Sequence, residues 1–168
     1  MSYQSVLRSF RMIFVLAIQI LILNHIHILG YITPLMIGYM IIPFHRGTGR
    51  ITLLLWGFFT GLLFDMFSNT AGMGSASLTL LAMAQPALLN IFTPRDAAED
   101  YTPGFNTMGF WRYVTYCFFS MFIVHALFYI LDAFTLHNWQ LTLIAIAGGT
   151  LITTFLCVLA ELFTKTKY

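Results

Sequence analysis

The sequence predicts an all-α integral membrane protein built as a bundle of six transmembrane helices. Of its 168 residues, 59% are apolar and only 8% are Asp, Glu, Lys or Arg, whereas an ordinary soluble domain is about one quarter charged. The apolar residues are also grouped in long runs, as expected when each helix needs roughly 20 of them to cross the hydrocarbon core. Most of the surface must therefore face lipid, and a net charge of +2 gives no basic excess for binding nucleic acid.

Six apolar runs follow one another along the chain. The second run is the shortest, because about 14 residues in an α-helix reach only about 21 Å. It is predicted either to cross the bilayer or to form a re-entrant or interfacial segment. The predicted spans are residues 12–29, 31–44, 51–67, 75–92, 109–131 and 141–163, and they make residues 1–168 a single membrane domain.

The basic residues favour six crossings. With six spans and a cytoplasmic N-terminus, all 8 Lys and Arg residues fall on the cytoplasmic side, as the positive-inside rule requires. If the second run did not cross, Arg8 and Arg11 would lie opposite all the other basic residues. We therefore expect both termini in the cytoplasm and a location in the cytoplasmic (inner) membrane.

A glycine motif ending in an acid marks the third run. Gly57, Gly61 and Asp65 are spaced four apart, so they share one helical face on which another backbone can approach closely. Asp65 is near the outer end of its helix, where the negative end of the helix dipole disfavours an anion, so it needs a donor. The face is interpreted either as packing within the bundle or as an interface with another protein's helix.

Polar side chains in three runs are predicted to lie at a similar depth. A rise of about 1.5 Å per residue from the cytoplasmic side places His25, Asp65 and His125 about 20 Å deep, and Asn24 is next to His25. Ionisable groups at that depth need partners or water. We expect an intramembrane polar cluster of Asn24, His25, Asp65 and His125, with a structural role, a partner contact, or proton transfer or metal binding as the alternatives.

The sequence contains no recognised catalytic motif. It has no G-x-S-x-G, no H-E-x-x-H and no phosphate-binding loop followed by Lys, which are motifs of hydrolases and nucleotide-binding enzymes. Cys117 and Cys157 lie inside apolar runs and are interpreted as small buried hydrophobes. We expect no catalytic residue, no metal and no cofactor.

One long segment resembles a known family. WGFFTGLLFDMFSNTAGMGSASLTLLAM, from Trp56 to Met83, is similar to the signature of the rod shape-determining protein MreD family. Leu23–Met40 and Ile91–Asp96 resemble the form of this family found in Bacteroidota. The residues that match the family motif are Gly57, Gly61, Asp65, Gly72 and Gly74.

The resemblance implies a non-enzymatic membrane scaffold of the rod, or elongation, complex. The family acts with the bitopic protein MreC, the actin-like protein MreB, the polymerase RodA and a class B penicillin-binding protein in lateral peptidoglycan synthesis and rod cell shape. It also implies the six-helix architecture of energy-coupling-factor transporter S components, with the motif residues on a face that holds the MreC membrane helix. A small-solute carrier or vitamin-capture subunit is the alternative, and it would need a cavity lined by several convergent polar side chains.

Overall fold

The computed structural model describes residues 14–25, 33–94, 97–133 and 139–165, without the side chains of His25, Thr164 and Lys165. Over these ranges the chain is helical and has no β-strand, and four helices are long and apolar enough to cross a membrane. The helices are α1 (residues 14–21), α2 (Arg50–Ser68), α3 (Met73–Phe92), α4 (Phe105–Met108), α5 (Phe110–Asp132) and α6 (Trp139–Lys165), with 3-10 helices at Leu23–His25 and Met36–Met40.

Four predicted spans coincide with the long helices α2, α3, α5 and α6, whose ends differ from the predicted ends by two residues or fewer. The first predicted span extends beyond α1 into residues outside the described ranges. The prediction of a helix at 31–44 is wrong for the described part of that run, because residues 33–44 form the 3-10 helix Met36–Met40 and turns.

The long helices pack in the order α2, α3, α5, α6. The positions that meet across α2 and α3 are Gly57 with Leu78 and Gly61 with Ser75, so the two helices run antiparallel. The loop after α3 returns to the end where α2 begins, since the Gly47 amide donates to the Glu99 carbonyl at 2.7 Å. We call this the basic end because it carries the arginines whose side chains the structure describes, Arg46, Arg50 and Arg112.

Residues 33–44, the central segment, lie inside the bundle. Residues 34–44 are all buried, and the 3-10 helix within them touches α2, α3, α5 and α6. Thr33 is hydrogen-bonded to Tyr129 near the end of α5, whereas Ile42 is hydrogen-bonded to Tyr116 nearer its start. The central segment therefore runs antiparallel to α5, towards the basic end.

The central segment covers more distance per residue than an α-helix would. Tyr129 and Tyr116 are separated by about 20 Å along α5 at a rise of about 1.5 Å per residue. Nine residue steps of the segment, from Thr33 to Ile42, match that distance at about 2.2 Å each, close to the rise of about 2.0 Å in a 3-10 helix. This steeper rise lets a run that is too short for an α-helix extend across most of the bundle.

A backbone that is not α-helical needs other hydrogen-bond partners when it is buried away from water. Gln19 of α1 supplies two of them: its amide nitrogen donates to the Pro34 carbonyl at 3.0 Å, and its amide oxygen accepts the Met36 N–H at 2.6 Å. The hydroxyl of Tyr129 accepts the Thr33 N–H at 2.8 Å and donates to the Thr33 carbonyl at 3.2 Å. Both side chains thus hold the start of the central segment.

Three further side chains bind the rest of the segment. Nε2 of His125 accepts the Leu35 N–H at 3.4 Å, and the hydroxyl of Tyr116 donates to the Ile42 carbonyl, also at 3.4 Å. Nε2 of Gln85 in α3 donates to the Phe44 carbonyl at 3.2 Å. Polar groups from α1, α3 and α5 therefore converge on one buried stretch of backbone.

We predict that Gln19→Leu destabilises the fold by about 2–6 kcal/mol, because each of the two buried groups left unpaired costs about 1–3 kcal/mol. The free energy of unfolding, measured by titration with SDS in mixed micelles, tests this. Thr115→Val is the matched control, since the Thr115 hydroxyl bonds only within its own helix on an exposed face. Its effect should stay within about 0.5 kcal/mol, and an equal loss in both variants would contradict the prediction.

Candidate functional site

The glycine face of α2 is occupied by α3. A Cβ atom at Gly57 would lie 2.8 Å from the Leu78 carbonyl oxygen, and one at Gly61 would lie 2.6 Å from the Ser75 nitrogen. Both distances are shorter than van der Waals contact and involve backbone, which moves less readily than a side-chain tip. The glycines therefore let two helix backbones pack directly against each other, as small residues do between membrane helices.

The turn between α2 and α3 depends on the next two glycines of the motif. Gly72 precedes α3 with φ of 83°, a left-handed conformation that glycine adopts without the penalty of a Cβ atom. A Cβ at Gly74 would lie 2.7 Å from Oδ1 of Asp65. Glycine at this position leaves room for the carboxylate.

Asp65 caps the start of α3. Its Oδ1 accepts the Gly74 N–H and the Thr70 hydroxyl, both at 2.8 Å, and its Oδ2 accepts the Ser75 N–H at 2.9 Å. The first amides of a helix have no partner within the helix, and its N-terminus carries a partial positive charge. The donors that Asp65 needs are therefore supplied by the following helix rather than by a distant ionisable side chain.

The five motif residues, Gly57, Gly61, Asp65, Gly72 and Gly74, thus converge on one α2–α3 hairpin. Of the two interpretations of the glycine face, packing within the bundle is the one that the structure contains. The hairpin leaves no room along Gly57 and Gly61 for the helix of another protein.

His125 belongs to a second buried network. Its Nδ1 lies 2.9 Å from the Met121 carbonyl, and since a carbonyl only accepts, Nδ1 carries the proton and Nε2 is the acceptor. Nε2 receives the Leu35 N–H, and the Thr153 hydroxyl of α6 lies 3.2 Å away. A Cβ at Gly149 would lie 2.9 Å from Nε2, so this glycine makes room for the ring between α5 and α6.

The structure does not join Asp65 to His125. Asp65 binds the α3 terminus and His125 binds the central segment, with no hydrogen bond between them among the described residues. Asn24 is half-buried, and the His25 side chain lies outside the described part of the chain. Asp65 and His125, two members of the predicted cluster of Asn24, His25, Asp65 and His125, therefore lie in separate hydrogen-bond networks, and each binds mainly nearby backbone.

Sequence reasoning missed most of the side chains that hold the central segment. From the sequence, no role is predicted for Gln19, Gln85, Tyr116 or Tyr129. The available signal was the presence of amide side chains inside apolar runs, which is costly unless each has a partner. The side chains of Gln19 and Gln85 are only 0% and 1% exposed, so both residues are buried in the bundle.

Within the described ranges, no three His, Cys, Asp or Glu side chains are grouped as a metal site. Comparison with known proteins gives no match to a family model, a curated protein or a solved structure.

We predict that Gly61→Ala lowers the free energy of unfolding by about 1–3 kcal/mol through overpacking, although alanine favours a helix by about 1 kcal/mol over glycine. SDS titration of the purified chain measures this. Gly49→Ala is the control, because a Cβ there meets only the Thr52 hydroxyl at 3.7 Å. A Gly61→Ala protein at least as stable as the wild type would show that α3 does not restrict this face.

We predict that Asp65→Asn and Asp65→Leu both lower the free energy of unfolding, and that Leu lowers it more. Asn keeps one acceptor oxygen but turns an NH₂ towards an amide donor, so it should cost about 1–2 kcal/mol, within the usual range for losing a helix cap. Leu removes every acceptor and should cost more, because hydrogen bonds to charged groups are worth about 1.5–3 kcal/mol. Unfolding titrations of both variants test the order. Equal losses would instead indicate that the negative charge itself is required.

Proposed function

We propose that this protein is a non-enzymatic membrane scaffold of the rod complex, of the MreD type. In this role it binds MreC in the cytoplasmic membrane and works with MreB, RodA and a class B penicillin-binding protein to direct lateral peptidoglycan synthesis and rod shape. The observation that carries the proposal is the segment Trp56–Met83, whose ordered motif resembles this family. Its motif residues form one structural unit, the α2–α3 hairpin capped by Asp65.

The proposed topology has six spans, with both termini in the cytoplasm. Its support is the collection of Arg46, Arg50 and Arg112 at the basic end, together with the positive-inside rule. The central segment supplies the second crossing by its steeper rise, and its burial by α2, α3, α5 and α6 explains how a backbone that is not α-helical is tolerated inside a bilayer.

The geometry changes where the MreC helix would bind. Because α3 fills the face of Gly57 and Gly61, the partner would contact a lipid-facing surface of the bundle. Such surfaces are extensive: Phe59 on α2 is 56% exposed and Phe155 on α6 is 62% exposed. The glycine motif then supports binding indirectly, by holding the helices that carry those side chains.

The carrier alternative receives less support from the interior. A carrier needs polar side chains directed into a cavity, whereas His125, Gln19 and Gln85 direct their polar atoms at the backbone of the central segment. A scaffold, by contrast, uses a rigid interior and presents its outer surface to partners.

We predict that site-specific cross-linking will join lipid-facing positions of this chain to MreC. The native Cys117 and Cys157 are both buried, so a single introduced cysteine is the accessible thiol. Phe59→Cys and Phe155→Cys sample two different faces. At least one should give a specific adduct with a co-expressed MreC-type protein, and none with an unrelated single-pass protein.

Ser75→Cys, under the glycine face, is the buried control and should give no adduct. The proposal would be refuted if a scan of the lipid-facing positions on α2, α3, α5 and α6 gave no adduct and no complex survived mild detergent. Release of a tightly held small molecule on denaturation would then favour the capture subunit.

A further inference from the structure

A groove opens between α2 and α3 at the basic end. It has a volume of about 380 Å³ and is lined by Arg50, Leu54, Ala82, Met83, Pro86, Ala87 and Asn90. That volume falls within the range of about 300–1,000 Å³ that is typical of small-molecule sites. The groove is separate from the capped turn at Asp65 and from the central segment.

The hairpin itself creates the groove. Gly57 and Gly61 bring α2 against α3 over one half of the pair. Towards the basic end, larger side chains replace the glycines, and Leu54 of α2 and Pro86 of α3 both line the groove. Its rim is open to the surroundings of the bundle, because Met83 is 71% exposed.

The two ends of the groove differ in chemistry. Arg50 is the first residue of α2 and Asn90 is near the end of α3, so both lie where the apolar spans begin. Ala82 is eight residues from Asn90, or about 12 Å along the helix, and the lining at that level is apolar. A guanidinium and an amide at the mouth therefore lead into an apolar slot that extends into the hydrocarbon region.

We infer that this groove binds one anionic glycerophospholipid, with its phosphate at Arg50 and Asn90 and an acyl chain between α2 and α3. No lining residue is acidic, so the charge of the mouth complements an anionic headgroup. Basic pockets between membrane helices on the cytoplasmic side are recognised sites for such lipids. The inference requires that the chain lies in a membrane, and it does not depend on the scaffold role.

The spacing of the two helices argues against a protein helix as the occupant. Ala82 lines the groove, and a Cβ at Gly57 of α2 would lie only 3.0 Å from the Ala82 Cβ. A helix with its side chains is about 10–12 Å across, so a partner helix can lie across the rim but cannot enter between α2 and α3 at this level. An acyl chain is slender enough to do so.

Native mass spectrometry of the purified full chain tests the headgroup contact. The protein is supplied with equal amounts of phosphatidylglycerol and phosphatidylcholine that carry the same acyl chains. Arg50→Gln should reduce the bound phosphatidylglycerol about fivefold, the loss that corresponds to about 1 kcal/mol per basic residue at a membrane surface. Arg112→Gln, an exposed arginine at the same end but outside the groove, should change it little.

A second pair of variants tests the acyl chain slot. Ala87→Phe fills the groove and should reduce retention of both lipids, whereas Ala76→Phe, at an exposed alanine elsewhere on α3, should not. Equal effects of Arg50→Gln and Arg112→Gln would mean general attraction to basic residues and would overturn the inference. So would unchanged lipid retention in Ala87→Phe. If that variant lost MreC binding but kept its lipids, the groove would be a protein contact instead.

Discussion

The backbone of the central segment must be hydrogen-bonded where no water is available, and the arrangement of the bundle follows from that requirement. Residues 34–44 are all buried, yet they do not form an α-helix that would satisfy its own amides. Two of its amides bond within the segment, from Ile41 to the Gly38 carbonyl and from Phe44 to the Ile41 carbonyl. Side chains from α1, α3 and α5 supply further partners. Because a membrane interior penalises each unpaired polar group by several kcal/mol, these helices must keep their register around the segment.

In the hairpin of α2 and α3, the buried backbone amides that need partners are those at the start of α3. The open amides of α3 are satisfied by Asp65 from the preceding helix, and the glycines allow the backbones to come close enough for this bond to form. Within the recognisable segment, the glycines and Asp65 therefore pack and cap the hairpin. Loss of function in variants of Gly57, Gly61 or Asp65 would report on the fold first and on partner binding only through it.

The sequence predicted the four long helices well because each is an uninterrupted apolar run of nearly bilayer length, and hydropathy measures that directly. It did not predict the conformation of residues 33–44, because the side chains that bind their backbone lie between 15 and 96 residues away in the chain and no local pattern encodes such pairs. The role of Asp65 was missed for a different reason. The dipole of its own helix disfavours an anion there, whereas the positive terminus of α3 begins only eight residues later, at Met73. Equal depth suggested a contact between Asp65 and His125, but depth alone does not fix which helices are neighbours.

The position of the central segment early in the chain has a consequence for biosynthesis. Thr33, Leu35 and Ile42 precede their partners on α5 by 96, 90 and 74 residues. At about 5–20 residues per second, the ribosome adds those residues roughly 4–20 s later. During that interval the segment is already synthesised but lacks the partners that α5 supplies to Thr33, Leu35 and Ile42. These bonds therefore form late in assembly, once α5 has been added to a chain in which the central segment already exists.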